Sequence, residues 1–136
     1  MAGAAHTATT EDTITLRLPP DPALLGVALL VVGGLGVRLN LTIESLEDLE
    51  LAVESLLGCV RRGREATLQV TIANGSLTAA VSPVDGAAVQ GELDDESEEI
   101  GLRRVLRTVA DRVEVVDREG SSWLSIEKRV SRERST

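Results

Sequence analysis

Two side chains that could do chemistry lie four residues apart near the middle of the chain. Ser55 and Cys59 belong to the segment 45–62, where apolar residues recur at helical spacing. An i, i+4 spacing places the hydroxyl and the thiol on one helix face. A nucleophilic thiol needs a nearby general base. The only histidine, His6, lies in a stretch of alanine, threonine and glycine. The inventory therefore argues against Cys–His catalysis and a histidine-rich metal site, and favours Cys59 as a buried small hydrophobe.

A second group of candidate site residues lies in the second half of the chain. Asp85-Gly86 comes directly after an alternating run, and Gly101 precedes a helical pattern. Asp-Gly in a loop is commonly a turn. Six acids precede Gly101 with no base between them: Glu92, Asp94, Asp95, Glu96, Glu98 and Glu99. Acids near a helix N-terminus favour the helix dipole and remain solvated.

Alternation, helical periodicity and turn residues predict the element order β-α-α-β-β-(loop)-α-β-β. Asn74-Gly75 predicts a tight hairpin between the second and third strands. The predicted strands are 12–18, 66–72, 77–82, 113–116 and 123–130; the helices are 22–38, 45–62 and 98–111; residues 84–99 are a loop. This order predicts an α+β two-layer sandwich, with helices on one face of a mostly antiparallel or mixed sheet.

Length and charge limit the classes of protein. The 136 residues suit a single domain, which we place at 12–130 between a disordered tail, 1–11, and a polar tail, 131–136. A net charge of −8 argues against nucleic acid as a partner. The apolar stretch 23–37 falls short of the roughly 20 residues that a membrane span needs. We therefore expect a buried helix, no membrane partner and a cytoplasmic protein.

The string Asp48-Leu-Glu-Leu-Ala-Val53 resembles the signature helix of bacterial anti-sigma factors of the RsbW and SpoIIAB type, small proteins with the ATPase fold of histidine kinases (the GHKL superfamily). That helix reads roughly Asp-Leu-x-Leu-Ala-Val-x-Glu-x-x-x-Asn-Ala. The run 100–115 is also similar, with a Gly-Leu start, an apolar helix and then Asp-x-Val-x-Val. The resemblance spans about 12–130, and the element order is the one that this family implies.

The resemblance implies a degenerate nucleotide site. Ser55 stands where the family has its catalytic Glu, with Glu54 one residue away, and Cys59 stands where the family has its magnesium-binding Asn. Asp85 matches the adenine-binding Asp, and Gly86 lies one position early in the Asp-x-Gly-x-Gly loop. Gly101 is what remains of the glycine-rich lid. No catalytic residue, metal site or cofactor is therefore expected, with ATP and magnesium bound only if the site is retained.

The function implied is that of a regulatory module, usually homodimeric, that sequesters a sigma factor or an antagonist protein. Arg103, Arg104 and Arg107, with Arg61, Arg62 and Arg64, are candidates for a partner-binding surface, or form a solvated face. The alternative is an active ATP-dependent serine kinase that phosphorylates an anti-anti-sigma protein. A third reading is a scaffold of the same fold with no connection to sigma factors.

Overall fold

A computed structural model describes residues 12–96 and 101–131. The predictions for the tail 1–11, for the start of the third predicted helix at 98–100 and for the end of the polar tail, 132–136, lie outside the described residues. The elements are β1 (Asp12–Leu18), α1 (Leu24–Arg38), α2 (Ile43–Leu57), β2 (Ala66–Ala73), β3 (Ser76–Ser82), α3 (Gly86–Asp94), α4 (Leu102–Val109), β4 (Arg112–Arg118) and β5 (Ser121–Arg129).

The five strands form one open antiparallel sheet in the order β1-β2-β3-β5-β4. Alternate residues of the central strands point toward the helices and are almost completely buried: Leu68, Val70, Leu77, Val81, Leu124 and Ile126. The opposite face carries mostly polar side chains and has no helix among the described residues. The predicted α+β two-layer sandwich is therefore confirmed, and we call the sheet face that no described helix covers the open face.

Helix α2 is the centre of the helical layer because its apolar positions repeat every three or four residues. Leu49, Val53 and Leu56 are fully buried. The helix begins after Thr42, whose hydroxyl oxygen accepts a hydrogen bond from the Ser45 backbone nitrogen at 3.1 Å. It ends at Leu57, earlier than predicted, because the chain turns at Gly58 toward β3.

Helix α1 is apolar on nearly all sides and packs on α2 through Ala28, Val32 and Gly36. A Cβ atom on Gly36 would collide with the end of the Leu46 side chain, so a larger residue there would force Leu46 to change its position between the two helices. No helix within the described ranges is long and apolar enough to cross a membrane.

The segment 84–99, predicted as a loop, contains helix α3, and this prediction was wrong. Asp85 caps the helix, and Val89 and Leu93 bury one narrow apolar edge against the core. Two large apolar residues one turn apart are too few to produce a recognisable helical period. The next helix, α4, is shorter than predicted because Ala110 already has an extended backbone and leads into β4.

Both hairpins have two residues in the left-handed region at their turns. Asn74 and Gly75 have φ of 54° and 80°, which confirms the predicted hairpin between β2 and β3. Glu119 and Gly120 have φ of 53° and 80° and join β4 to β5 in the same way. The β4–β5 hairpin is longer than predicted, and it carries Trp123 on the open face of the sheet.

Candidate functional site

Four of the residues that the sequence singles out line one cavity. The cavity has a volume of about 480 Å3 and lies between the C-terminal end of α2, helix α3 and the start of α4. Ser55 and Cys59 form its α2 wall, Asp85 lies at the start of α3, and Gly101 lies at the start of α4. We call it the α2–α4 cavity. Residues more than 40 positions apart in the chain are thus brought together at one place.

Asp85 has a structural task in this cavity. Its Oδ1 accepts a hydrogen bond from the Ala88 backbone nitrogen at 3.1 Å, which is the N-cap arrangement of a helix. An aspartate at this position satisfies one of the unpaired amide groups of the first turn of α3. The residue that the resemblance assigns to adenine binding therefore already has a partner within its own helix.

The Cys59 thiol lies half-buried in the same cavity. Burial and, as a smaller contribution, the negative charge of Glu92 together raise its pKa from 9.0 to about 11. The Sγ atom contacts the Ser55 carbonyl oxygen at 3.4 Å, as a weak donor to the preceding turn. A thiol with this pKa stays protonated near pH 7, so Cys59 is a poor nucleophile and a poor metal ligand.

Glu54 and Gly86 do not line the α2–α4 cavity. Glu54 lies about 100° around the helix from Ser55, is exposed, and lines a separate cavity of about 530 Å3 beside the loop after α2. A Cβ atom on Gly86 would lie 2.9 Å from Ser122 Oγ and 3.5 Å from Val115 Cγ1. Gly86 therefore lies where α3 packs closely against β4 and β5, and a larger residue there would force Ser122 to move.

The arginines of α4 differ in their surroundings. Arg103 is partly exposed and pairs with Glu96, with 3.5 Å between Arg103 Nη2 and Glu96 Oε1. Arg104 and Arg107 are exposed and have no ion pair with a carboxylate in the described ranges. Arg61, Arg62 and Arg64 are exposed around the separate cavity that Glu54 lines. The six arginines therefore form two separate groups.

A further polar cavity, of about 740 Å3, lies on the open face of the sheet. We call it the Trp123 cavity. It is lined by residues of all five strands and of the β4–β5 turn, including Arg17, Gln69, Ser82, Arg118, Glu119 and Trp123. The sequence analysis noted Trp123 only as the single aromatic residue. Because side chains alternate between the two faces of a strand, its position next to the apolar Leu124 would have indicated that Trp123 lies on the open face.

Comparison with known proteins adds nothing to this geometry. A scan against protein-family models gives no match, and a search of curated proteins gives none. Within the part of the chain that the structure describes, no group of three or more histidine, cysteine, aspartate or glutamate side chains could hold a metal ion. The arguments for function therefore come from the residues of the two cavities and from the exposed surfaces.

Proposed function

We propose that this chain is a regulatory protein-binding module, similar to anti-sigma factors of the RsbW and SpoIIAB type. In this proposal it sequesters a sigma factor or an antagonist protein by steric occlusion, without phosphoryl transfer. The observation that carries the proposal is the composition of the α2–α4 cavity. Ser55, Cys59, Asp85 and Gly101 meet there, at the positions that the resemblance assigns to a nucleotide site.

The chemistry of that cavity supports binding without catalysis. Phosphoryl transfer by this family would need a carboxylate on α2, and position 55 provides a hydroxyl, which is a weak base. The protonated thiol of Cys59 is a soft group, whereas magnesium prefers oxygen ligands. Glu92 lines the same cavity and adds a negative charge that opposes a triphosphate. Glu54 lies about 100° around the helix from Ser55 and does not line this cavity.

The exposed surface of α1 supports a homodimer. Three large apolar side chains on this helix are substantially exposed: Val27 by 47%, Leu30 by 77% and Val37 by 73%. With Gly34 they recur at spacings of three and four residues and form one uncharged stripe. Because the chain carries a net charge of −8, an uncharged stripe is the surface on which two copies can meet with the least repulsion.

The binding proposal is tested by capturing proteins on the tagged full chain, expressed in the cells that encode it. We expect mass spectrometry to identify a sigma factor or an antagonist domain. Arg104→Glu reverses an exposed charge on α4 and should lose this partner. Arg129→Glu makes the same charge change on β5 and should retain it. Recovery of neither class of partner with the unaltered chain would contradict the proposal.

The absence of phosphoryl transfer is tested by calorimetric titration with ATP and with ADP in magnesium buffer. We expect no heat of binding at millimolar nucleotide. Micromolar binding, together with transfer of phosphate from ATP to the captured antagonist, would instead support the active kinase. That result would overturn the mechanism of steric occlusion alone.

A further inference from the structure

We propose that the Trp123 cavity binds a small oxyanion, the carboxylate or phosphate group of a small molecule, on the open face of the sheet. This inference is independent of the proposed regulatory function, since the α2–α4 cavity lies on the opposite side of the sheet. Three features of the cavity carry it: an unsatisfied buried donor, two arginines and a rim of hydroxyl and amide groups.

The unsatisfied donor is the indole N–H of Trp123. The side chain is 8% exposed, and no described residue accepts a hydrogen bond from its Nε1 atom. Buried polar groups in folded proteins nearly always have a partner, so an unpaired one indicates a missing acceptor. An indole nitrogen can only donate. A partner for this donor must be a hydrogen-bond acceptor, such as an oxygen of an anion, and it reaches Nε1 only when a neighbouring exposed side chain moves aside, because that atom has less than 1 Å2 of accessible surface.

Arg118 lies directly against this donor. Its guanidinium carbon is 4.2 Å from the centre of the Trp123 ring, and its Nη2 donates a long hydrogen bond of 3.3 Å to Gln69 Oε1. A guanidinium group has five N–H donors and no acceptor, so it cannot satisfy the indole. An oxyanion that binds the exposed guanidinium can also accept from the indole once Arg118 shifts off the ring and uncovers Nε1.

Arg17 adds a second positive charge to the same cavity from strand β1. Neither arginine forms an ion pair with a carboxylate of the described ranges. Glu119, in the β4–β5 turn, is the carboxylate that lines the cavity, so the lining carries one net positive charge on a chain of net charge −8. This local excess of positive charge favours an anion over a cation or a neutral ligand.

The rest of the lining consists of neutral groups that can orient an anion. Thr15 and Thr67 contribute hydroxyls from β1 and β2, and Ser82, which is 6% exposed, contributes one from β3. The volume of about 740 Å3 exceeds what a lone oxyanion fills. The geometry therefore favours a small organic molecule that carries the anionic group, with the flat indole–guanidinium pair beside it.

The experiment uses Trp123 itself as the probe. Because the chain contains one tryptophan and no tyrosine or phenylalanine, its intrinsic fluorescence reports on this cavity alone. The full chain is titrated with sodium phosphate and, separately, with sodium succinate, with chloride adjusted so that ionic strength stays constant. We expect a saturable change in emission with half-saturation below about 10 mM for at least one probe. A linear change equal to that given by sodium chloride would overturn the proposal.

Variants assign the binding to the cavity. Arg118→Gln and Arg17→Gln should each weaken binding roughly tenfold or more, because each removes charge-assisted hydrogen bonds. Glu119→Gln should tighten it. The matched control is Arg112→Gln, on the same strand and face as Arg118 but outside the cavity, and it should change the affinity less than about twofold. Equal weakening by Arg112→Gln and Arg118→Gln would show a general charge effect and would contradict the site.

The two titrations also separate the sources of the oxyanion. Saturation with phosphate alone assigns a phosphorylated small molecule, and saturation with succinate alone assigns a carboxylic acid. Arg17→Gln tests the site with a variant that is expected to fold. Arg17 is exposed on an edge strand, and its replacement leaves the contact between Arg118 and Trp123 in place. If this variant keeps its circular dichroism and also keeps full affinity, then Arg17 does not contact the anion and the two-arginine site is wrong.

Discussion

Replacing Asp85 tests its role as the N-cap of helix α3. In the structure the Asp85 carboxylate accepts a hydrogen bond from the Ala88 nitrogen and closes the first turn of α3. Alanine removes this acceptor, whereas asparagine keeps a side-chain oxygen at the same position and is an equally good N-cap. We therefore expect Asp85→Ala to destabilise the fold and Asp85→Asn to leave its stability nearly unchanged.

The size of the effect follows from the exposure of the cap and the length of the chain. Loss of an exposed N-cap costs about 1 kcal/mol of unfolding free energy. A chain of 136 residues has an unfolding entropy of about 0.3 kcal/mol/K, so this loss lowers the Tm by roughly 3–4 °C. The helix should also open more easily, because Val89 and Leu93 are its only buried residues.

Thermal unfolding followed by circular dichroism measures both variants against the unaltered chain. Hydrogen exchange then shows whether the added opening is confined to α3. The reasoning would be refuted if Asp85→Asn lost as much stability as Asp85→Ala, because the charge, and not the cap, would then be what matters. It would also be refuted if Asp85→Ala had no effect on Tm.

Three further predictions concern other parts of the molecule. Burial raises the folded-state pKa of the Cys59 thiol from its unfolded value of 9.0 to about 11. The stability that the neutral thiol contributes is therefore complete below about pH 9 and is lost as the pH rises toward about 11. In urea unfolding between about pH 8 and 10.5, the free energy of unfolding should fall more steeply for the unaltered chain than for Cys59→Ala. Leu56→Ala, which truncates a fully buried side chain, should cost about 2–5 kcal/mol in urea unfolding, whereas Glu47→Ala, exposed on the same helix, should change stability by less than about 0.5 kcal/mol. In sedimentation velocity, Leu30→Glu should convert the proposed dimer to a monomer, whereas Ala87→Glu, at an exposed position on α3, should leave the dimer intact. A monomeric unaltered chain would contradict the proposal of a homodimer.

Strong local signals explain which parts of the fold the sequence predicts. The hairpin at Asn74-Gly75 was predicted correctly because both positions need φ above zero, which few residues tolerate. Helix α2 was predicted because its apolar residues repeat over four turns. Helix α3 was missed because it buries only Val89 and Leu93, and its cap, Asp85-Gly86, has the composition of a turn.

The site was only partly predictable for a different reason. Ser55, Cys59, Asp85 and Gly101 were named from the resemblance to the anti-sigma family, and the four residues line one cavity in the structure. The sequence did not indicate the hydrogen-bond partner of the Asp85 carboxylate, because that carboxylate caps helix α3, which was predicted as a loop. The Trp123 cavity was missed because residues of five separate strands line it, and their proximity depends on the strand order.

The sheet separates the two candidate sites, and this separation makes their tests independent. Leu124 points into the helical core, and its neighbour Trp123 points to the open face. Effects on stability at distant sites without shared partners usually add. The double variant Asp85→Ala with Arg118→Gln should therefore lose the sum of the two single losses in stability, and its affinity for the oxyanion should equal that of Arg118→Gln alone. A non-additive result would instead mean that the two sites are energetically coupled through β5. A ligand bound on the open face could then regulate the α2–α4 cavity.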